Sequence, residues 1–325
     1  MEKFFLRDSR RSSQLVRWGR NWSWAFIRAV FILGFCFVIL YPILSMLTRA
    51  FMEPRDLYDN SVLWLPKHFT LDTVALCAQA LHYGRSFWNS LWSSLLLTVL
   101  QVAACLLAGY AFARYRFPGC RFLFACVILT LIVPPQLTMI SSYMYFGDFD
   151  VFHLISLFHG GEGLNLLDTE WPLLLMAATG QGLRNGLFIF MFRQFFRSAP
   201  KETEEAAMID GAGHFRTFFF VMLPGAVSVI VTVILFSFVW QWNDVFYVNL
   251  YNRSFMSLTN YIHSASYDSY AGLYGSYAGV SLVDPVIVKN LTSASVLLIV
   301  APLVGLFLLL QRYFVESVER SGVVG

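Results

Sequence analysis

Apolar segments long enough to cross a lipid bilayer recur along this chain, and they constrain it more than any other feature. Ala29–Leu47 is predominantly apolar with Pro42 inside it, and it meets the roughly 20-residue length that a spanning helix needs. Further apolar runs lie at about Phe87–Phe112, from Phe122 to Pro134-Pro135, at Trp171–Phe192, at Gly225–Val245 and at Leu291–Tyr313. In lipid a segment must satisfy its own backbone groups, so each run is expected to be a helix. Charged residues are only 13% of the chain and hydrophobic ones 57%, where a soluble domain has about a quarter charged. The expected class is an all-α, polytopic membrane protein. A net charge of +3 gives no case for a nucleic-acid partner.

Charge orients the spans. Lys3, Arg7, Arg10, Arg11, Arg17, Arg20 and Arg28 precede the first run, and Arg114, Arg116 and Arg121 lie in the turn after the second. Arg193, Arg197, Lys201 and Arg216 surround the polar stretch after the fourth. Basic loops stay in the cytoplasm. Residues 146–170 carry Asp148, Asp150, Glu162, Asp168 and Glu170 and no Lys or Arg, which places them outside. Six transmembrane helices with both termini cytoplasmic follow. The expected organisation is a basic tail at 1–28, a first span at 29–47, an outer loop at 48–86, a core at 87–315 and a cytoplasmic tail at 316–325. Within the core lie outer loops at 146–170 and 246–290 and an inner polar loop at 200–224. No small-residue cleavage site follows the first run, so no removable signal is expected.

Several chemistries have no footing. The five cysteines, Cys36, Cys77, Cys105, Cys120 and Cys126, lie mostly in apolar runs and read as small core residues. His153 and His159 are not on one helical face and have no Cys companion, so no metal site is expected. The phosphate-cradling pattern G-x-x-x-x-G-K-[ST] is absent, as are a nucleophile elbow and a Cys-x-x-Cys pair. No catalytic residue and no cofactor are expected in this chain, and the energy for any transport must come from a partner or an ion gradient.

The inner loop at 200–224 is the most informative polar stretch. Pro200 can start a helix, acids sit in its first turn, and Ala206, Ala207 and Met208 favour it, so Glu202–Met208 is expected to be helical. Gly211 interrupts it, and Phe215–Leu223 forms a second Phe-rich stretch ending at Pro224. The expected shape is helix, bend, helix on the membrane surface. Glu205-Ala206-Ala207, then Gly211, Val221 and Leu223-Pro224 resemble the EAA loop of ABC importer permeases, with Val221 where the family usually has Ile. The resemblance implies a type I ABC importer permease fold and a coupling helix that docks into a cleft of a separate ATPase subunit. By that resemblance Glu204, Glu205, Ala206, Ala207, Asp210, Gly211, Leu223 and Pro224 belong to the coupling surface. Glu205 would bond at the cleft, Ala206 and Ala207 would allow close approach, and Gly211 would allow the bend.

Polar and helix-breaking residues inside the spans mark a candidate pathway. Pro134-Pro135 must bend or break the third span, either to line a cavity or as a packing kink; Val133-Pro134-Pro135-Gln136-Leu137 also resembles sugar-type permeases. The fourth span, expected as one helix, carries Gln181, Arg184 and Asn185, and an intramembrane Arg is either a functional group or half of a structural pair. Gly182 and Gly186 form a small-xxx-small pair suited to close helix packing. The fifth span ends Trp240-Gln241-Trp242-Asn243-Asp244, ring and polar groups of the kind that hold a sugar, or an aromatic belt at the outer interface. The triplet Trp242-Asn243-Asp244, the run Phe192–Pro200 and Leu310–Phe314 resemble the carbohydrate branch, similar to the maltose-type second permease.

That resemblance implies a homologous second permease subunit, two copies of an ABC ATPase subunit carrying ATP and Mg, and an extracytoplasmic solute-binding protein. It implies residence in a bacterial or archaeal inner membrane. The chain would then be a transport subunit importing a carbohydrate. The alternatives are an importer permease for a non-sugar solute or a gradient-driven secondary transporter. Gly-rich tails in the maltose-type family reach the ATPase; here Val324 replaces the basic residue expected there.

Overall fold

The computed structural model of the protein describes residues 2–322 except 60, 63, 64, 152, 159, 265, 266 and 280–282, and for 2–23, 263–264, 267, 310 and 312–322 it describes backbone alone. Trp64, His159 and the tail residues Val323, Val324 and Gly325 therefore lie outside the described residues. The described residues form no β-strand; their two isolated antiparallel bridges are Met52–Phe69 and Phe149–Leu164.

The helices, in chain order, are α1 (Glu2–Ala50), α2 (Asp72–Ala80), α3 (Tyr83–Arg114), α4 (Cys120–Ile132), α5 (Met139–Gly147), α6 (Leu154–Phe158), α7 (Trp171–Ala178), α8 (Asn185–Ser198), α9 (Glu202–Ile209), α10 (His214–Gly225), α11 (Val227–Trp242), α12 (Phe246–Tyr251), α13 (Leu258–Ser264), α14 (Tyr267–Ala278) and α15 (Pro285–Gly322). Among the described residues three stretches of helix are long and apolar enough to cross a membrane: Trp24–Ala50, Tyr83–Arg114 and Pro285–Leu309; a fourth arises if α10 and α11, bent by 76°, count as one. The basic tail and first span are one continuous helix. The last helix starts at Pro285, inside the stretch expected as an outer loop, and α12, α13 and α14 make most of 246–290 helical.

The expected single fourth helix is corrected: it is two helices. α7 ends in a Schellman motif, with Gly180 at φ +74°, Gln181 N–H donating to Met176 O at 2.9 Å and Gly180 N–H to Ala177 O at 3.4 Å. The motif needs a left-handed residue, which Gly supplies without a Cβ penalty. The third run breaks for a different reason. A residue before proline is pushed out of the helical region; Val133 has ψ 117° and Pro134 has ψ 138°, so α4 stops and a short 3-10 turn, Pro135–Leu137, leads into α5. The α10 run contains a wide π-turn at Phe218–Met222 just before Pro224, which has no N–H to give the preceding turn.

The chain forms two compact units. The first comprises residues 1–77 and 274–297. In it Asn290 Nδ2 donates to Arg49 O at 2.7 Å, Cys77 Sγ to Leu291 O at 3.4 Å, and Thr70 N–H to Phe51 O at 3.0 Å. The apolar side chains between Trp24 and Tyr41, Phe35, Val38 and Ile39 among them, are exposed, as a lipid-facing helix requires.

The second unit comprises residues 78–273 and 298–325 and is built around α3. A stripe of small and polar residues, Ser86, Ser90, Ser94, Thr98, Gln101 and Cys105, is buried along it. Small residues let helix backbones approach where lipid offers no hydrophobic contrast. A Cβ on Gly109 would stand 2.5 Å from Phe192 Cβ and 3.0 Å from Arg193 N, so α8 lies directly on α3; Phe188, Phe192 and Phe196 form its fully buried face. Gly186 packs as tightly on α4, its missing Cβ 2.8 Å from Val127 O. Gly182, expected as its packing partner, meets only ordinary contacts, the nearest at 3.4 Å.

Candidate functional site

α9 is short and polar, and most of its residues are exposed. Glu202, Glu204 and Glu205 occupy its first turn, where the exposed N–H groups favour negative charge. Its end is a second Schellman motif: Ala212 N–H donates to Ala207 O at 3.0 Å, Gly211 N–H to Met208 O at 3.1 Å, and Gly211 has φ +87°. The bend expected at Gly211 is thus a hydrogen-bonded reversal that favours glycine. Gly211 is exposed, and a Cβ there would meet nothing within 4 Å, so its conformation and not crowding sets the residue type.

The eight coupling candidates divide by face. Glu205, Ala206, Asp210, Gly211 and Pro224 are exposed, and Ile209 beside them is 85% exposed. Ala207 and Leu223 are half-buried. Glu204 points inward, its Oε1 3.0 Å from Arg114 Nε, with the two side chains 12% and 5% exposed. Beneath them Tyr110 packs its ring against Phe218 at 4.7 Å and Phe196 at 5.1 Å between centroids. The outward face carries two acids, Glu205 and Asp210, two small residues, Ala206 and Gly211, and the exposed Ile209, a set suited to contact with another protein.

Inside the second unit the break between α7 and α8 carries a buried polar network. Gln101, fully buried, donates through Nε2 to Asn185 Oδ1 and to the Leu183 carbonyl. Its Oε1 accepts from Ser237 Oγ at 2.6 Å and from Gln241 Nε2 at 3.1 Å, and Ser237 Oγ reaches Thr98 Oγ1 at 3.3 Å. Backbone freed by a broken helix survives at membrane depth when protein groups re-satisfy it, and Gln101 does this for Leu183. Gln101 was not among the candidates. Its signal was present: a lone Gln within a long apolar run, one turn beyond Thr98.

The pathway candidates do not form one cluster. Arg184 sits at φ +62°, exposed, with its guanidinium carbon 5.8 Å from the Trp240 ring centre, within cation–π reach. Trp240 is stacked against Phe188 at 5.4 Å and Phe236 at 5.8 Å. Arg184 and Trp240 are therefore brought together, while Asn185, next to Arg184 in the chain, turns inward to Gln101. Trp242, next but one, faces elsewhere: it is buried among Phe87, Phe238, Leu258 and Ile299. Asp244 is buried and accepts from Tyr247 N–H at 3.1 Å, capping α12, while the exposed Asn243 donates to Val239 O at 2.8 Å. Gln181, Pro134 and Pro135 are exposed at their two helix breaks. Among the described residues no three His, Cys, Asp or Glu side chains stand close enough to hold a metal ion.

Residues 102–320 match the family described as binding-protein-dependent transport system inner membrane component. The chain is 27% identical over 319 residues to the arabinooligosaccharides transport system permease protein AraQ of Halalkalibacterium halodurans, covering 97% of this chain and 99% of that one. It is 30% identical over 264 residues to the alpha-glucoside transport system permease protein AglG of Rhizobium meliloti, covering 80% of this chain and 62% of that one. Its fold is similar, with a TM-score of 0.66 at 20% identity, to a chain in the crystal structure of a bacterial ABC transporter that imports the acidic polysaccharide alginate, over 90% of this chain and 96% of that one.

Proposed function

This chain belongs to the family of binding-protein-dependent transport system inner membrane components, and from that premise we propose that it is the permease subunit of an ATP-driven carbohydrate importer, coupled to its ATPase through α9. The observation that carries the proposal is the exposed face of α9, with Glu205, Ala206, Ile209 and Asp210 held outward by the turn at Gly211. The chain is a transport component, and hydrolysis belongs to a separate subunit that binds ATP and Mg. A carbohydrate cargo is supported by the names of the relatives, which transport arabinooligosaccharides and alpha-glucosides.

In this proposal six spans cross a bacterial or archaeal inner membrane with both termini inside. Two of them are assembled from short pieces, α4 with α5 and α7 with α8, and a third is the 16-residue α11. A homologous second permease completes the pathway, and two ATPase copies and an extracytoplasmic solute-binding protein complete the importer. Closure of the ATPase pair moves α9, and the motion switches the pathway between inward- and outward-facing states, in proportion to how differently the ATPase binds the two. Arg184, Asn185 and Trp240 lie along that pathway at the break between α7 and α8. Gln181, Pro134 and Pro135 border it, and Trp242, Asn243 and Asp244 shape the outer end of α11.

Gentle purification of the tagged chain from its own membrane tests the proposal. A second permease and an ABC ATPase should accompany it, and the preparation should hydrolyse ATP faster when the binding protein and its sugar are added. Recovery of the chain alone, active in proton- or sodium-driven uptake, contradicts it.

A further inference from the structure

Arg114, the last residue of α3, is tied to two other helix ends at once. Its Nη2 donates to Ala199 O at 3.0 Å and to Pro200 O at 3.5 Å, the free carbonyls after α8. Its Nε faces Glu204 Oε1 at 3.0 Å in the first turn of α9. Tyr110, one turn back along α3, packs its ring on Phe196 and Phe218 beside the pair. Burying two charges costs desolvation that their attraction only partly returns, so stability alone is a weak reason for the pair. Arg114 supplies a planar head that donates to the two carbonyls through Nη2 while its Nε stands in ion-pair contact with Glu204.

The other route out of α9 is an exposed, hydrogen-bonded turn that packs against little. It runs through Asp210–Gly213, where neither Gly211 nor Gly213 has a neighbour within 4 Å of a Cβ position. α3, by contrast, also carries Gln101, whose amide holds Leu183, Asn185 and Gln241 at the break between α7 and α8. We propose that Arg114 is a positioning residue for coupling: it clamps α9 to α3 and to the end of α8, so that a displacement of α9 reaches the helix break as a rigid-body movement of α3. This rests on the function proposed above.

The test uses the purified complex with its ATPase, in a background without native cysteines, and MgATP with vanadate as the probe. Spin labels go on Glu202→Cys in α9 and Leu107→Cys in α3, both exposed positions. With the native pair, the label distance stays the same between the nucleotide-free and the vanadate-trapped complex. In the neutral double variant Arg114→Met/Glu204→Gln, which leaves no unpaired buried charge, trapping shifts or broadens the distance. Arg114→Lys restores part of the fixed distance. The single variant Glu204→Gln keeps the Arg114 bonds to Ala199 and Pro200 and removes only the charge on the α9 side; it also broadens the distance on trapping and serves if the neutral variant does not fold. An invariant distance in both variants overturns the inference, and so does loss of the ATPase from both, which would make the pair a folding or docking element. A wild-type complex that contains no ATPase refutes the proposed function itself and removes the ground of the inference.

Discussion

Gly211 and Gln101 show how single residues set this structure, one through the backbone and one through its side chain. Gly211 combines φ +87° with an N–H donated to Met208 O. Proline can provide neither: its φ is fixed near −65° and it has no N–H. Gly211→Pro should therefore abolish ATP-coupled uptake in vesicles while the chain remains inserted, and unchanged uptake would remove α9 from the coupling role. An L-residue such as Ala would be held in the left-handed region at a cost of about 1–2 kcal/mol, so Gly211→Ala should retain part of the uptake. Gln101 is a different case. Gln101→Leu strands the acceptors at Leu183 and Asn185 and the donors at Ser237 and Gln241 in a buried site, and each stranded group costs roughly 1–3 kcal/mol. The detergent-purified variant should unfold at a clearly lower temperature than the parent, and an equal Tm would mean the network is not formed.

Among the elements, the polar loop was legible and the broken spans were less so. The gapped spacing from Glu205 to Pro224 brought out α9 and its reversal because helix formers, a glycine and a proline act locally. The double proline marked the end of α4 for the same reason. The break between α7 and α8 was also written locally, in Thr179-Gly180-Gln181-Gly182, but an apolar run read by length alone absorbs two glycines. The polar stripe from Ser86 to Gln101 marks the buried face of α3, but the facing of the apolar and aromatic residues was not legible. Lipid is as apolar as a helix interface, so no polarity pattern tells that Trp242 is buried against Phe87 while Trp240 stacks between Phe188 and Phe236. Glu204 turned inward for want of any sequence sign that Arg114 would meet it. The turn that follows α1 supplies a pH test. Asp56 accepts from His68 Nδ1 at 2.7 Å and from His68 N–H at 2.6 Å, and the His68 hydrogen bond holds its carboxyl below the usual range. A depressed carboxyl stabilises the fold above its unfolded value, about 3.9, and the contribution is lost as pH falls through the lower folded value. Amide exchange in residues 51–70, corrected for intrinsic rate, should quicken on acidification below about pH 4, and Asp56→Asn should remove that dependence. An identical acid response in the variant would show that the contact contributes nothing.

For the whole molecule, composition and charge were enough to indicate a multi-pass membrane protein, since apolar length and basic loops are properties of the chain and not of its packing. The number of spans was harder, because short helices joined at breaks fall below the length of a single crossing. Sidedness can be checked directly. Cysteine at Glu162, in the acidic outer stretch, should react with a membrane-impermeant maleimide in intact cells, whereas cysteine at Glu202 should react only in inverted vesicles. The same side for both would break the six-span arrangement. The measurement closest to the central claim places a photo-crosslinker at Ala206, on the exposed face of α9, in cells that make the complete importer. An adduct with an ABC ATPase subunit is the predicted result. Illumination that yields no ATPase adduct at Ala206, with the chain inserted and active in uptake, would contradict coupling through α9.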